Sequence, residues 1–220
     1  MFKKSYNLTD IKNWQYSLGY TTGLSGSLQQ LEQETISSIH GSQMISGKII
    51  AKLIQFFLQL KRPKLCIDIG TYSGFSALAM AESTPYESTI YTIDRKNQPS
   101  YQIAKKYTDM YYPKKIKYYR NDAENIIPLL PNNIDFVFID ADKKKTRLYF
   151  DLLLPKLNQN ALIIVDDVLW RGEVAISRVT DKRAKVMHEF NQYIFDHPLC
   201  DNLILPIRHG LNVIYYRNFQ

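Results

Sequence analysis

A chain of 220 residues, with 45% hydrophobic and 22% charged residues, is long enough for one compact domain and has the composition of a globular protein. Its longest apolar stretch, residues 49–60, is interrupted by Lys52, Gln55 and Gln59, which excludes a membrane-spanning helix. The net charge of +7 is compatible with a nucleic-acid partner, but the basic residues are scattered, so the charge favours a solvated basic surface.

The first 62 residues are predicted to form a helical cap, ahead of a core over residues 63–220 of the same domain. Apolar residues recur at helical intervals in residues 28–39 and again in residues 45–60. Residues 1–10 hold two lysines without a following apolar run, so we expect no secretory signal and a cytoplasmic protein. Cys66 lies in an apolar strand-like run, far from Cys200, and is expected to be a reduced, buried thiol.

From residue 64 onward, short β-rich runs alternate with helical ones. This spacing is typical of βαβ units and predicts a parallel sheet. Two of the runs are almost entirely apolar, as expected of strands covered by helices on both faces. The predicted strands are residues 64–69, 89–93, 116–119, 134–139 and 161–165, and the predicted helices are residues 74–82, 100–110, 124–130 and 146–154.

The end of the chain is predicted to be a helix followed by an antiparallel hairpin. The helix covers about residues 182–195 and the hairpin strands cover residues 203–207 and 211–216, with Gly210 supplying a positive φ in the turn. Added to the five parallel strands, the hairpin gives an α/β fold with a mostly parallel seven-stranded sheet.

A glycine loop, Gly70-Thr71-Tyr72-Ser73-Gly74, follows the first predicted strand. Glycine after a strand allows a tight turn and a close backbone approach to a ligand at the carboxyl edge of the sheet. A dinucleotide fingerprint needs another glycine where Tyr72 stands, which disfavours a pyrophosphate and an NAD-linked oxidoreductase. With Asp68 nearby, the loop suits S-adenosylmethionine, whose cationic groups tolerate a carboxylate. A turn glycine without a ligand is the alternative.

Two further positions follow strands at the same edge. Asp94 ends the second predicted strand, where a carboxylate can accept hydrogen bonds from both hydroxyls of a ribose. A plain helix N-cap is the alternative for Asp94, and the glycine loop makes the ribose role the favoured one. Asn121-Asp122-Ala123 follows the third strand, where an adenine ring would lie.

Three carboxylates follow the fourth and fifth predicted strands, at Asp140, Asp166 and Asp167. Since the carboxyl ends of parallel strands share one edge, these side chains are expected to converge beside the cofactor pocket. A bound hard cation would relieve their mutual repulsion, Mg²⁺ foremost, with Mn²⁺ or Ca²⁺ as alternatives. The other interpretation is that some of these acids cap helices, and Asp142 is the residue expected to do so.

Lys143 lies three residues after Asp140, in the loop that leaves the same strand. A lysine near cationic groups can have a lowered pKa and act as a general base. In the run Lys143-Lys144-Lys145 the default interpretation is a solvated surface, and the residues alone do not single out one of the three lysines.

These segments resemble the caffeoyl-CoA/catechol O-methyltransferase-like family, including its small bacterial members. The resemblance is carried by DIGTYSGFS at residues 68–76, FVFIDADK at residues 136–143 and VDDVLWRG at residues 165–172, and it extends over about residues 28–217. It implies a Rossmann-like methyltransferase fold, S-adenosylmethionine as cofactor, a divalent cation and a homodimer.

The resemblance also implies roles for individual residues. Lys143 would be the catalytic base beside Asp140, and Asp142 and Trp170 would line the acceptor pocket. The implied metal ligands are Asp140, Asp166 and Asp167, and the implied cofactor contacts are Ile45, Asp68, Gly70, Thr71, Ser76, Asp94, Ala123 and Asp140.

Two positions depart from the family's usual pattern. The family usually has Glu at the position of Asp68, so the side chain here has a shorter reach to the same ligand group. It usually has Asp-Asn at the position of Asp166-Asp167. The additional carboxylate should tighten cation binding and make the metal a poorer Lewis acid.

The implied reaction is transfer of a methyl group from a sulfonium to a phenolic oxygen. A free phenol, with a pKa of about 10, is a poor nucleophile at neutral pH. Chelation of two adjacent hydroxyls by the metal would lower that pKa and align the oxygen, while Lys143 accepts or offsets the proton. We therefore expect a small catechol-like acceptor and neither a nucleic-acid nor a membrane partner. The alternatives are an RNA methyltransferase, which would need no metal, and a non-catalytic cofactor-binding protein of the same fold.

Overall fold

Strands and helices alternate through most of the chain. The computed structural model describes residues 11–40, 44–176 and 180–217. Within them the strands are β1 (Leu65–Ile69), β2 (Thr89–Asp94), β3 (Ile116–Arg120), β4 (Ile134–Ile139), β5 (Leu157–Asp166), β6 (Cys200–Leu205) and β7 (Leu211–Tyr216).

Eight α-helices belong to the described residues, together with short 3₁₀ turns at Ile127–Leu129, Lys143–Lys145, Leu154–Lys156 and Trp170–Ala175. The helices are α1 (Ile11–Tyr20), α2 (Gly26–Ser38), α3 (Gly47–Lys61), α4 (Phe75–Ser83), α5 (Tyr101–Tyr111), α6 (Ala123–Ile126), α7 (Thr146–Leu153) and α8 (Lys182–Phe195).

The seven strands form one sheet in the order β3-β2-β1-β4-β5-β7-β6. The pairs from β3 to β5 are parallel, whereas β7 runs antiparallel to both β5 and β6. From β1 the chain continues to β2 and β3 on one side of the sheet, and then crosses to β4 and β5 on the other side. Such a switch point, between β1 and β4, leaves a crevice at the carboxyl ends of the strands. The predicted mostly parallel seven-stranded sheet with a C-terminal antiparallel hairpin is confirmed.

Residues 136–139 of β4 show why the central strands are mostly apolar. Phe136 and Phe138 pack in a cluster with residues of α3 and α4, whereas Val137 and Ile139 pack in a second cluster with residues of α7 and α8. Since successive side chains of a strand point to opposite faces, a strand covered on both faces needs an apolar residue at each position. A third cluster joins the α2 residues Leu28 and Leu31 to α4 and α5.

Three predicted boundaries are corrected by the structure. The first hairpin strand is Cys200–Leu205 rather than residues 203–207, and β5 begins at Leu157 rather than at residue 161. The helix predicted over residues 124–130 is a single α-turn that continues as a 3₁₀ turn. Pro128, at the start of that turn, cannot donate a backbone hydrogen bond to an α-helix. Gly210 has the predicted positive φ, at 92°.

Cys66 and Cys200 are both buried free thiols, as expected for Cys66. No helix in the described part of the chain is long and apolar enough to cross a membrane. Residues 1–10, on which the expectation of no secretory signal depends, lie outside the described residues.

Candidate functional site

A cavity of about 980 Å³ lies at the carboxyl ends of the parallel strands. Its volume is in the range of small-molecule sites. The residues predicted for the site that line it are Ile45, Gly70, Thr71, Ser76, Asp94, Ala123, Asp140, Asp142, Lys143, Asp166, Asp167 and Trp170.

Asp68 is the predicted site residue that does not line the cavity. It lies in β1, is fully buried, and accepts hydrogen bonds from Ser76 Oγ at 2.9 Å and Thr92 Oγ1 at 2.6 Å. Burial raises the pKa of Asp68 to about 7, against the smaller opposing effect of the Thr92 and Ser76 hydrogen bonds. The carboxylate therefore positions Ser76, which does line the cavity.

Gly70 allows the ends of β1 and β4 to meet. Its φ is 108°, and a Cβ built on it would lie 2.0 Å from the main-chain oxygen of Asp140. The Asp140 amide in turn donates to the Ile69 oxygen at 2.8 Å. The glycine therefore allows a close approach to the Asp140 backbone, which fixes the position from which the Asp140 carboxylate projects. The predicted close approach to a ligand stays a prediction.

Ser73 is a lining residue that the sequence reasoning did not select. Its hydroxyl is buried and has no hydrogen-bond partner among the described residues. A buried polar atom without a partner is costly, so it needs an explanation, and a ligand that completes the hydrogen bonding is one. The only sequence signal for this role is its place between the two glycines of the loop.

Asp94 closes the other side of the glycine loop. Its Oδ2 accepts from the Tyr72 amide at 2.7 Å and its Oδ1 from the Arg95 amide at 2.8 Å. Burial raises its pKa, although both amide hydrogen bonds oppose that shift. The alternative of a helix N-cap is wrong because α5 begins seven residues later, after Ser100.

The carboxylate cluster consists of Asp140, Asp166 and Asp167, as the strand ends predicted, and Lys143 stands within it. Lys143 Nζ lies 2.7 Å from Asp140 Oδ1, 3.1 Å from Asp167 Oδ2 and 3.4 Å from the main-chain oxygen of Asp166. The lysine is only 8% exposed. The interpretation of Lys143 as part of a solvated lysine run is therefore wrong, whereas Lys144 is exposed and Lys145 pairs with Glu124.

The electrostatics of the cluster favour a charged lysine. Burial alone would lower the pKa of Lys143, but the neighbouring carboxylates, chiefly Asp140 and Asp167, together outweigh burial and raise it. The pKa of Asp166 is raised by burial and by the negative charges of Asp140 and Asp167. In this arrangement the raised pKa favours an ammonium at Lys143, and the lowered pKa expected beside a bound metal and a sulfonium stays a prediction.

The backbone that follows β5 is held against the turn of the β6–β7 hairpin. Asp167 has a φ of 65°, a left-handed conformation that Asp and Asn adopt more readily than other non-glycine residues. The amides of Val168 and Leu169 donate to the oxygens of Gly210 and His209 at 3.0 and 2.8 Å. A Cβ on Gly210 would lie 2.4 Å from the Leu169 side chain, so glycine is required for this contact.

Asp142 and Trp170 lie in the part of the cavity beside the cluster. Asp142 Oδ1 accepts from the Lys144 amide at 3.1 Å, so the predicted capping role of Asp142 is confirmed at the 3₁₀ turn. The guanidinium groups of Arg171 and Arg183 lie 5.9 and 5.5 Å from the Trp170 ring centroid. These cation–π contacts hold the aromatic wall of the cavity.

Arg208 is a second residue that the sequence reasoning missed. Its Nη1 donates to the main-chain oxygens of Ile45, at 2.9 Å, and Ser46. Arg208 thereby ties the hairpin turn to the segment that precedes α3, and both sides of this contact line the cavity. A lone arginine in a turn carries no sequence signal for a contact 163 residues away.

Comparisons with known proteins agree with this architecture. Residues 20–216 match the model of the O-methyltransferase family. Catechol O-methyltransferase domain-containing protein 1 of Mus musculus is 25% identical over 207 residues, covering 92% of this chain and 79% of that protein. A caffeoyl-CoA O-methyltransferase of Stellaria longipes is 28% identical over 199 residues, covering 84% and 80%. The SAH-bound methyltransferase PaMTH1 of Podospora anserina shares the fold, with a TM-score of 0.87 at 21% identity over 99% of both chains.

The family match spans most of the chain, including the glycine loop, the carboxylate cluster and the hairpin. The methyltransferase fold and the enzyme class implied by the sequence resemblance are thereby confirmed. The chain belongs to the O-methyltransferase family.

Proposed function

We propose that this chain transfers the methyl group of S-adenosylmethionine to a hydroxyl of a small phenolic acceptor with two adjacent hydroxyls, with the assistance of a divalent cation. The observation that carries the proposal is a single cavity bounded by the glycine loop, by Asp94 and by the carboxylate cluster. The cavity offers a cofactor region and an acidic, lysine-containing region side by side.

The cofactor region has the groups that S-adenosylmethionine needs. The unpartnered Ser73 hydroxyl and the Ser76 hydroxyl, held by Asp68, suit the amino-acid end of the cofactor. Each Asp94 oxygen accepts one amide hydrogen bond and retains a lone pair for a ribose hydroxyl. Ala123, after β3, offers a small apolar wall to an adenine ring.

The donor chemistry of the carboxylate cluster fits a hard divalent cation, because carboxylate oxygens are the ligands that such ions prefer. In the arrangement seen here, the described residues contain no ready group of three acidic, histidine or cysteine ligands, and the Lys143 ammonium contacts Asp140 and Asp167 instead. Binding of a cation would therefore require these side chains to rearrange. Asp140, Asp166 and Asp167 would hold the cation. When bound, the cation would lower the pKa of an acceptor hydroxyl.

The chain's own residues contribute orientation and charge. The Trp170 ring lines the cavity and would pack against an aromatic acceptor, which would limit the orientations of the reacting oxygen. The acceptor hydroxyl releases its proton to solvent in the cavity, its oxygen forms a bond to the methyl carbon, and the S–CH₃ bond breaks to leave a neutral thioether. Lys143 stabilises the developing phenolate as a nearby positive charge.

An acceptor panel tests the proposal. Transfer from radiolabelled S-adenosylmethionine is measured to catechol, to phenol and to a short RNA, with the protein inactivated by heat as the blank. We expect labelled catechol, little labelled phenol and no labelled RNA. Equal labelling of phenol and catechol would contradict the requirement for adjacent hydroxyls, and cofactor binding without any labelled acceptor would favour a non-catalytic protein.

Two expectations from the sequence stay predictions. They are the homodimer implied by the family resemblance, which sedimentation of the purified chain would measure, and the cytoplasmic location.

A further inference from the structure

The position of Lys143 bears on how a cation reaches the carboxylate cluster. Its Nζ contacts oxygens of Asp140, Asp166 and Asp167 within 3.4 Å. Its 8% exposure means that protein atoms, rather than water, surround most of the residue. Within the described part of the chain, Lys143 is the cation that forms ion pairs with members of the cluster.

The backbone that carries Lys143 is fixed independently of its side chain. The Asp142 carboxylate caps the 3₁₀ turn by accepting a hydrogen bond from the Lys144 amide. The Lys145 amide donates to the main-chain oxygen of Asp142 at 2.9 Å. The flexible four-carbon side chain of Lys143 can therefore leave the cluster while the turn stays in place.

An ammonium and a divalent cation would compete for the same oxygens. Both need the carboxylate oxygens of Asp140 and Asp167, and two cations at that separation repel each other. We infer that Lys143 is a tethered competitor for the divalent cation, so that metal binding is an exchange in which the lysine side chain withdraws. The inference rests on the proposed function, because it takes the cluster to be the metal site.

The exchange has a measurable consequence. If the state with Lys143 withdrawn is a minor one, the apparent metal affinity is reduced by its population. Removing the ammonium removes that competition. For a withdrawn state populated at about 10% or less, Lys143→Met should tighten metal binding about tenfold or more.

The experiment is a titration of the full chain with Mn²⁺, followed by the electron paramagnetic resonance signal of the free ion. Wild type is compared with Lys143→Met and with Lys144→Met, a matched control that removes an exposed lysine from the same turn. We expect tighter Mn²⁺ binding in Lys143→Met alone. Lys143→Gln, which keeps an N–H donor for Asp140, is used if the methionine variant does not fold.

The outcomes separate this inference from the proposed function. Mn²⁺ affinity in the Lys143 variant that is equal to or weaker than that of wild type would overturn the exchange while keeping the metal site. Absence of Mn²⁺ binding in every protein would overturn both.

A measurement on wild type covers the case in which no Lys143 variant folds. Acetylation of each lysine by acetic anhydride is quantified by mass spectrometry, with and without saturating Mn²⁺. The exchange predicts that Mn²⁺ increases acetylation of Lys143 relative to Lys144. An unchanged or lower ratio would overturn it.

Discussion

Replacing Gly70 by alanine probes the contact that places Asp140 at the site. The added Cβ would lie 2.0 Å from the Asp140 oxygen and 2.6 Å from its carbonyl carbon, so the ends of β1 and β4 must separate. The φ of 108° is also unfavourable for any residue with a Cβ. Two separate costs therefore act at this position.

The magnitude follows from those two costs. A strained backbone costs about 1–3 kcal/mol, and overpacking typically costs a further 1–3 kcal/mol or so. Gly70→Ala should therefore lower the free energy of unfolding by about 4 kcal/mol. Gly172→Ala is the matched control, because Gly172 has a φ of 86° but nothing within 4 Å of an added Cβ. It should show only the backbone cost.

The assay is urea unfolding of both variants, followed by circular dichroism, together with the rate of methyl transfer by the folded fraction. We expect Gly70→Ala to be the less stable variant and to lose methyl transfer as Asp140 shifts. If Gly70→Ala is no less stable than Gly172→Ala, the close approach of the Asp140 backbone does not constrain residue 70 and the reasoning is refuted.

Two further substitutions test the cofactor region. In Asp68→Asn, stability relative to wild type should rise by on the order of 3 kcal/mol between about pH 5 and about pH 8, measured by urea unfolding. The reason is that the folded-state pKa of about 7 exceeds the ordinary aspartate pKa of 3.8, so the unfolded chain ionises first and wild type loses stability as pH rises through this interval. A constant difference between the two proteins would contradict it. In Ser73→Ala, affinity for S-adenosylhomocysteine should fall roughly fivefold to tenfold, as for one lost hydrogen bond, with stability unchanged or slightly higher. Calorimetric titration measures this, and an unchanged affinity would remove Ser73 from the cofactor contacts.

The sheet was predictable because its central strands are apolar on both faces. Phe136 and Phe138 lie on one face and Val137 and Ile139 on the other, so residues 136–139 give neither face a polar side chain for contact with water. Strand β6 gave a weaker pattern. It lies at the edge of the sheet, and its first residues, Cys200-Asp201-Asn202, lack the apolar alternation that would have marked its start.

The members of the carboxylate cluster were predictable because strand ends determine them. Asp140 follows β4 and Asp166 ends the adjacent parallel strand β5, so their convergence depends only on strand order. How deeply a side chain is buried does not follow from strand order. Asp68 points behind the cavity wall, and Lys143 is buried although its two neighbours in the lysine run are not. Both outcomes depend on contacts between distant segments.

The central claim is that the carboxylate cluster binds a divalent cation on which methyl transfer depends. The most direct measurement is the initial rate of transfer from radiolabelled S-adenosylmethionine to catechol, with excess chelator and then after Mg²⁺ is added back. We predict that chelator reduces the rate to the blank and that Mg²⁺ restores it. An undiminished rate in chelator would contradict the claim and leave Lys143 as the positive charge of the site.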